Sequence, residues 1–163
     1  MNKHLEKFKR KIGLGARTNK FIVSIIHPYF EKDDSYLVKE ATRPNIGQYD
    51  IDIFFQGKQY TLSGEVDTSS TITITFYDND NLELFKKILS WKNDIRKSPI
   101  STRKYMYRLE LTQLNTTNNK ANIKFIYYNV YPKNISDITY SYNNNDSLME
   151  FSVEFQYSNF KVF

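Results

Sequence analysis

Apolar and polar residues alternate with a period of two along most of this chain of 163 residues. Successive side chains of a strand point to opposite faces of a sheet, so such a run predicts a strand with one buried face. The alternating runs are residues 21–26, 49–55, 60–62, 71–76, 105–112, 123–131, 138–142 and 149–157. About eight strands, each with one polar face, predict a mainly β protein built as an antiparallel sandwich or partial barrel.

The segment from about residue 81 to 97 departs from this alternation. Its apolar residues have helical spacing and form one stripe: Leu84, Phe85, Ile88, Trp91 and Ile95. Asp80, followed three residues later by Glu83, has the layout of a capping box. We therefore predict one outer helix over about 81–97, with Phe85, Ile88 and Trp91 packed on the sheet.

The positive charge is concentrated at the N-terminus. The chain has a net charge of +5. Residues 1–20 contain seven lysines and arginines and one acidic residue, Glu6, a net charge of +6, so the other residues together carry −1. Leu5, Phe8 and Ile12 recur at helical spacing in this segment and predict a short helix. Residues 1–20 are thus predicted to be a basic arm, and residues 21–163 a single β-sandwich domain. The arm's helix could dock on its own protein or a neighbouring subunit, bind phosphates, or lie on a membrane surface.

The sequence offers little for catalysis or metal binding. It has no cysteine and two histidines, His4 and His27. His27 precedes a proline and is interpreted as a strand-end residue, and the acidic pairs near 33 and 79 as loop and cap residues. Without a phosphate-binding loop, a nucleophile motif or a zinc pattern, we predict no enzymatic activity and no cofactor.

Export and membrane insertion are not predicted either. The longest apolar run, 21–26, is far shorter than the roughly 18 residues of a spanning helix. The N-terminus lacks the apolar stretch and cleavage site of a secretory signal, so we expect assembly in the cytoplasm.

Four segments, in order along the chain, match the motifs of one protein family. Residues 16–21, Ala-Arg-Thr-Asn-Lys-Phe, are similar to the family's A-R-P-N-x-F entry, with Thr18 in place of proline. The run 71–80 resembles its T-x-T strand and N-D-E helix start, and the following helix resembles its F-x-x-W helix with a wider spacing. Residues 131–157 are similar to the W/Y-P-x-x-I-x-x-I…N-x-I-x-x-F-x-V-x-F ending. The chain therefore resembles the tail tube proteins of contractile-tailed bacteriophages.

The resemblance implies a structural role in a virion tail, assembled in the host cytoplasm. Tail tube proteins form six-membered rings that stack into a hollow inner tube and conduct DNA during ejection. The implied partners are other copies of the chain, the tail sheath, the baseplate tube and tape-measure proteins, with transient, non-specific passage of DNA. Three alternatives stay open: a baseplate protein of the same fold that starts the tube, a type VI secretion tube, and a β-domain that binds single-stranded nucleic acid through aromatic stacking and its basic arm.

A tube that passes DNA should have a polar wall that is neutral or acidic, because cations bind phosphates. The implied lumen-facing candidates are Thr71, Thr73, Thr75, Glu150, Ser152, Glu154 and Gln156. They could equally face solvent on the outside of the sheet. Stacking is assigned to the hairpin 43–62 and to residues 1–20. The subunit-contact candidates are Phe8, Arg17, Phe54 and Lys58. Packing of Phe54 in the core is the alternative for that residue.

Overall fold

The computed structural model describes residues 3–67, 70–97, 107–143 and 147–163. The elements are α1 (Lys3–Ile12), β1 (Phe21–Ile26), a 3-10 helix (Lys32–Leu37), β2 (Val38–Thr42), β3 (Gly47–Phe55), β4 (Lys58–Asp67), β5 (Thr71–Tyr77), α2 (Glu83–Lys97), β6 (Tyr107–Leu114), β7 (Ala121–Ile135), β8 (Glu150–Gln156) and β9 (Asn159–Val162). The mainly β fold expected from the sequence is confirmed, with nine strands in the described part of the chain. None of the described helices is long and apolar enough to span a membrane.

Seven of these strands form one antiparallel sheet that folds over into two layers. The first layer contains β1, β6, the first part of β7 and β9. The second contains the last part of β7, β8, β5 and β2. Buried side chains from both layers form one core, as a sandwich requires. Among the described strands, β1 and β2 each pair on one side, so the sandwich does not close into a barrel.

The corner between the layers lies at Asn129 in β7. This residue has a φ of 55°, a left-handed conformation that asparagine tolerates better than most residues. It reverses the alternation, so that Tyr127 is buried before the corner and Val130 and Pro132 are buried after it. An unbroken alternation over 123–131 predicts Tyr131 on the same face as Tyr127, and that prediction is wrong because the alternation does not continue through Asn129.

Helix α2 is capped by a different residue from the one expected. The Asp78 carboxylate accepts hydrogen bonds from the backbone amides of Leu84 and Phe85, at 3.2 and 3.0 Å. Leu82, with a φ of 53°, turns the chain before the helix begins. The prediction that Asp80 caps the helix is wrong, because this turn brings the earlier carboxylate to the free amides.

Helix α2 packs on the core through the predicted stripe. Ile88 and Trp91 are fully buried. Phe85 is half-buried, with its ring edge-on to that of Phe151 at 5.5 Å between centroids. The Trp91 ring lies 5.9 Å from that of Phe155, so the helix covers the second layer through aromatic contacts.

The strand predicted at 138–142 is absent. The backbone amide of Ser136 donates to the carbonyl of Ser152 at 2.8 Å, and beyond it the chain leaves the sheet. Tyr142 is 99% exposed in this segment. Because β8 begins only at Glu150, residues 138–142 have no partner strand in the described part of the chain. The predicted start of β6 at residue 105 lies outside the described residues.

Candidate assembly surfaces

The seven lumen-facing candidates lie together on one outward face of β5 and β8. Antiparallel pairing sets Thr71 opposite Gln156, Thr73 opposite Glu154 and Thr75 opposite Ser152. We call this set the polar sheet face: Thr71, Thr73, Thr75, Glu150, Ser152, Glu154 and Gln156. The hydroxyl oxygens of Thr75 and Ser152 are 2.7 Å apart, so a hydrogen bond joins the two strands across the face. The residues between them point inward and are fully buried.

The polar sheet face has an acidic character. Strands β5 and β8 contain no lysine or arginine. Lys39 of β2 approaches Glu150 at 2.9 Å, and this hydrogen bond raises the pKa of the lysine, which stays protonated and neutralises that carboxylate. Glu154 accepts a hydrogen bond from the Asn134 side chain at 3.1 Å, and Glu40 adds a carboxylate opposite Thr75. Phosphates would find little attraction here.

Strands β3 and β4 form a ribbon that stands apart from the sandwich as a separate two-stranded sheet. The hairpin expected within residues 43–62 turns at Gln56 and Gly57, which both have positive φ, 48° and 73°, as in a tight two-residue hairpin turn. Nine residues of β3 extend about 30 Å at ~3.3 Å per residue. This length projects the ribbon well beyond its attachment to the sandwich.

One face of the ribbon is apolar. Pairing sets Ile51 opposite Leu62 and Ile53 opposite Tyr60. We call this set the apolar ribbon face: Tyr49, Ile51, Ile53, Phe55, Tyr60 and Leu62. All six side chains are exposed in the single chain. A contiguous exposed patch of large apolar side chains marks an interaction surface, and an isolated two-stranded ribbon is marginally stable in water.

The opposite face of the ribbon is polar except at Phe54 and at Val66, which lies opposite Gln48. The Thr61 hydroxyl donates to Asp52 at 2.8 Å, and the Ser63 hydroxyl donates to Gln48 at 2.9 Å. Phe54 stands among these groups and is 74% exposed. Packing of Phe54 in the core is therefore excluded for the single chain.

The N-terminal arm begins with α1, none of whose residues is buried. Phe8 is 59% exposed, and Leu5 and Ile12 on the same stripe are exposed as well. The helix ends at Ile12 and is followed by Gly13 with a φ of 55°, a conformation that favours glycine. The Gly15 carbonyl accepts a hydrogen bond from the Thr116 hydroxyl at 3.0 Å, which fixes the arm to the β6–β7 turn.

The subunit-contact candidates thus fall into two separate groups. Phe8 and Arg17 lie in the N-terminal arm, and Phe54 and Lys58 lie in the ribbon; all four are exposed. The alternation of β3 and β4 predicts a face buried in the chain's own core, and that prediction is wrong because the apolar ribbon face is exposed.

His27 sits at the end of β1 in an aromatic cluster. Its ring lies 4.4 Å from that of Trp91 and 4.2 Å from that of Tyr107. Its Nδ1 atom accepts a hydrogen bond from the Tyr29 backbone amide at 3.1 Å, so the neutral ring carries its proton on Nε2. Burial lowers the pKa of His27 to about 4, although the charge of Asp94 raises it in part. His27 is therefore a neutral packing group at pH 7. In the described part of the chain, no group of three acidic or histidine side chains could hold a metal ion.

The lowered pKa of His27 predicts acid sensitivity. The unfolded chain binds a proton near pH 6.5 and the folded chain only near pH 4, so the free energy of unfolding falls as the pH drops between these values. The slope approaches at most about 1.4 kcal/mol per pH unit and is reduced by solvent at the ring edge. Urea unfolding across this range should show that His27→Phe loses the slope, whereas His4→Gln, in the exposed arm, keeps it. Parallel pH curves for wild type and His27→Phe would contradict the assignment.

A family profile described as "Phage tail tube protein" matches residues 16–163. A comparison with curated protein sequences found no match.

Several solved structures share the fold. A chain of the PVC sheath–tube complex, an extracellular contractile injection system in the extended state, is 14% identical with a TM-score of 0.68, covering 96% of both chains. The anti-feeding prophage cap, described as a tube terminating cap, is 12% identical with a TM-score of 0.66, covering 91% of this chain and 90% of that one. A type six secretion system protein is 12% identical with a TM-score of 0.57, covering 87% and 81%. At these identities the likeness concerns the fold.

Proposed function

Because the chain belongs to the phage tail tube protein family, we propose that it builds the inner tube of a contractile tail, as hexameric rings that stack into a hollow rod and conduct DNA. The observation that carries this proposal is the apolar ribbon face, whose six large side chains have no cover in the single chain. A second copy supplies that cover. The protein is accordingly a structural component of the virion tail and catalyses no reaction.

Ring formation is supported by the free sheet edges. In the second layer β2 is the outermost strand on one side, and the last part of β7 is outermost on the other. Such edges carry unpaired backbone groups that invite pairing with another chain. Pairing β2 of one copy with β7 of the next would join six second layers into one inner barrel.

The lumen of this barrel is assigned to the polar sheet face. Only one face of the second layer is free to line a channel, because the other face packs on the core. Strands β5 and β8 contribute no lysine or arginine to this face, and Lys39 of β2 is paired with Glu150. Lys133, at the edge in β7, is a further exposed lysine of this layer. DNA therefore passes along the wall without binding to it.

Stacking of the rings is assigned to the ribbon and the N-terminal arm. Both project from the sandwich, and both expose apolar side chains. The outer surface of the rod would then contact the tail sheath, and its ends the baseplate tube and tape-measure proteins.

Negative-stain microscopy of the purified full chain at high concentration tests the assembly. We expect annuli with sixfold symmetry and hollow rods built from them. Monodisperse monomers at every concentration would contradict the proposal.

The acidic character of the lumen gives a separate test. We expect assembled rods of Thr73→Lys and Thr75→Lys chains to retain a labelled single-stranded oligonucleotide. The slope of the logarithm of the binding constant against the logarithm of the salt concentration should become steeper by roughly 0.7 for each additional phosphate that a lysine neutralises. Thr112→Lys, on the outer face of the first layer, makes the same change outside the lumen. Equal retention by the Thr112→Lys and Thr73→Lys rods would show that the polar sheet face does not line the channel.

The basic arm supports a second candidate within the same family, a baseplate protein that starts the tube. In that case microscopy would show single rings that do not polymerise into rods. A nucleic-acid-binding domain would find no stacking surface on the second layer, because the rings of Phe76, Phe151 and Phe155 are buried. The exposed rings of the ribbon are assigned to contacts between copies.

A further inference from the structure

A cleft of about 800 Å³ opens between β1 and the 3-10 helix. Its wall is apolar and is formed by residues of both layers: Val23, Ile25, Phe30, Val38 and Phe76. It lies on the side of the sandwich where β1 and β2, the edge strands of the two layers, do not pair with each other. A cleft of this size and lining suits several large apolar side chains.

The rim of the cleft is acidic. Four carboxylates line it, those of Glu31, Asp33, Asp34 and Glu110, together with one lysine. Asp34 is already bonded to Lys87, and Glu110 to Arg108 and Lys124. The Glu31 carboxylate faces the Asp34 backbone amide in the capping box of the 3-10 helix. Neither Glu31 nor Asp33 forms a salt bridge with another residue that the structure describes, so neither carboxylate is paired with a cation there.

Helix α1 has the complementary pattern. Leu5, Phe8 and Ile12 form an exposed apolar stripe. At 100° per residue, Lys9 and Lys11 flank this stripe, whereas Arg10 lies on the far side of the helix. Its ten residues are about 15 Å long. The surface of the helix therefore complements the cleft: its apolar stripe matches the apolar wall, and its flanking lysines match the acidic rim.

The helix and the cleft lie at opposite ends of β1. The amide of Leu114 donates to the Lys20 carbonyl at 2.8 Å, and Thr116 holds Gly15, so the arm starts beside the β6–β7 turn. The cleft is lined by β1 from Val23 onward and by the segment after it, so at ~3.3 Å per residue it extends from about 10 Å to about 20 Å from Lys20. A contact between one end of a molecule and the opposite end of another is heterologous, and such contacts repeat into rings or open stacks.

We propose that α1 of one copy docks in the cleft of the next copy, with Phe8 in the apolar wall and Lys9 and Lys11 against Glu31 and Asp33. This inference rests on the proposed self-assembly and names the surface that receives the arm.

Disulfide cross-linking tests the contact cleanly, because the chain has no cysteine of its own. Full-length Phe8→Cys and Ile25→Cys chains are mixed, assembled and oxidised, and we expect a cross-linked dimer that contains one chain of each kind. The matched control is Arg10→Cys, which places the cysteine on the far face of α1. With Arg10→Cys in place of Phe8→Cys, we expect a dimer yield lower by roughly tenfold, equivalent to about 1.4 kcal/mol.

Charge exchange provides an independent readout of the same contact. Asp33→Lys in the Ile25→Cys chain is expected to lower the dimer yield by roughly tenfold, because it sets like charges against each other. Lys9→Glu in the Phe8→Cys chain should then restore the yield, whereas Lys3→Glu should not.

Microscopy of the same samples separates this inference from the proposed function. Rods that form without the Phe8–Ile25 cross-link would overturn the docking site and leave the tube intact. Absence of both rods and cross-links would overturn both. A chain carrying both cysteines that cross-links only within itself would show that the arm covers its own cleft, which also overturns the inference.

Discussion

Replacing Trp91 by alanine is expected to lower the free energy of unfolding by about 3–5 kcal/mol, the cost of removing a large aromatic side chain from a core. The indole is fully buried, with the rings of His27, Tyr107 and Phe155 at 4.4, 6.0 and 5.9 Å. It joins α2 to the end of β1 and to both layers, so the cavity would border several elements at once. Thermal unfolding should shift down by on the order of 10 °C, at about 2–4 °C per kcal/mol for a chain of this size.

Tyr142→Ala is the control for this substitution. It also removes a large aromatic side chain, but Tyr142 is 99% exposed, so the free energy of unfolding should change by no more than about 0.5 kcal/mol. A loss for Trp91→Ala as small as that for Tyr142→Ala would show that α2 does not depend on this contact.

Replacing Ile51 and Ile53 by serine is expected to weaken tube assembly strongly while leaving the core of the single chain intact. The side chains are 50% and 44% exposed and lie outside the core cluster, so the monomer loses contacts within the ribbon alone. Full burial of such a side chain is worth about 1.5–3 kcal/mol, and about half of that remains to be gained at an interface, so the double change raises the concentration needed for assembly by roughly tenfold to a hundredfold. Sedimentation velocity measures assembly, and thermal unfolding of the monomer confirms that the fold is retained.

Two variants decide whether this effect belongs to the apolar ribbon face. Ile22→Ser is the matched control for Ile53→Ser, because both side chains are 44% exposed and Ile22 lies on the sandwich. Phe54→Ser tests the polar face of the same ribbon. Equal loss of assembly in Ile22→Ser and Ile53→Ser would show that general loss of surface hydrophobicity, and not the ribbon, causes the effect.

Sequence alternation located the strands that build the sandwich. In β5 and β8 every second residue is apolar and buried, and the polar residues between them form one continuous face, so the lumen candidates were found together. The same alternation in β3 was misleading about its surroundings. Tyr49, Ile51 and Ile53 have the alternation of a buried face, yet they are exposed in the single chain. An alternation of period two predicts that one face of a strand is apolar, but it does not tell whether the same chain or another molecule covers that face.

The remaining errors have local causes. The single left-handed residue Asn129 reverses the facing of β7, and no periodicity can signal such a step in advance. Asp78 caps α2 because the backbone turns at Leu82, which the spacing of Asp80 and Glu83 does not reveal. The segment 138–142 has the residues of a strand and lacks a neighbour to pair with, since strand formation depends on a partner as well as on composition.

The corner at Asn129 couples the two layers of the sandwich mechanically. On one side of it β7 is hydrogen-bonded to β6 and β9, and on the other side to β8. One layer therefore cannot slide past the other without breaking backbone bonds on both sides of the bend. A force on one layer is therefore transmitted to the other through the covalent backbone of β7.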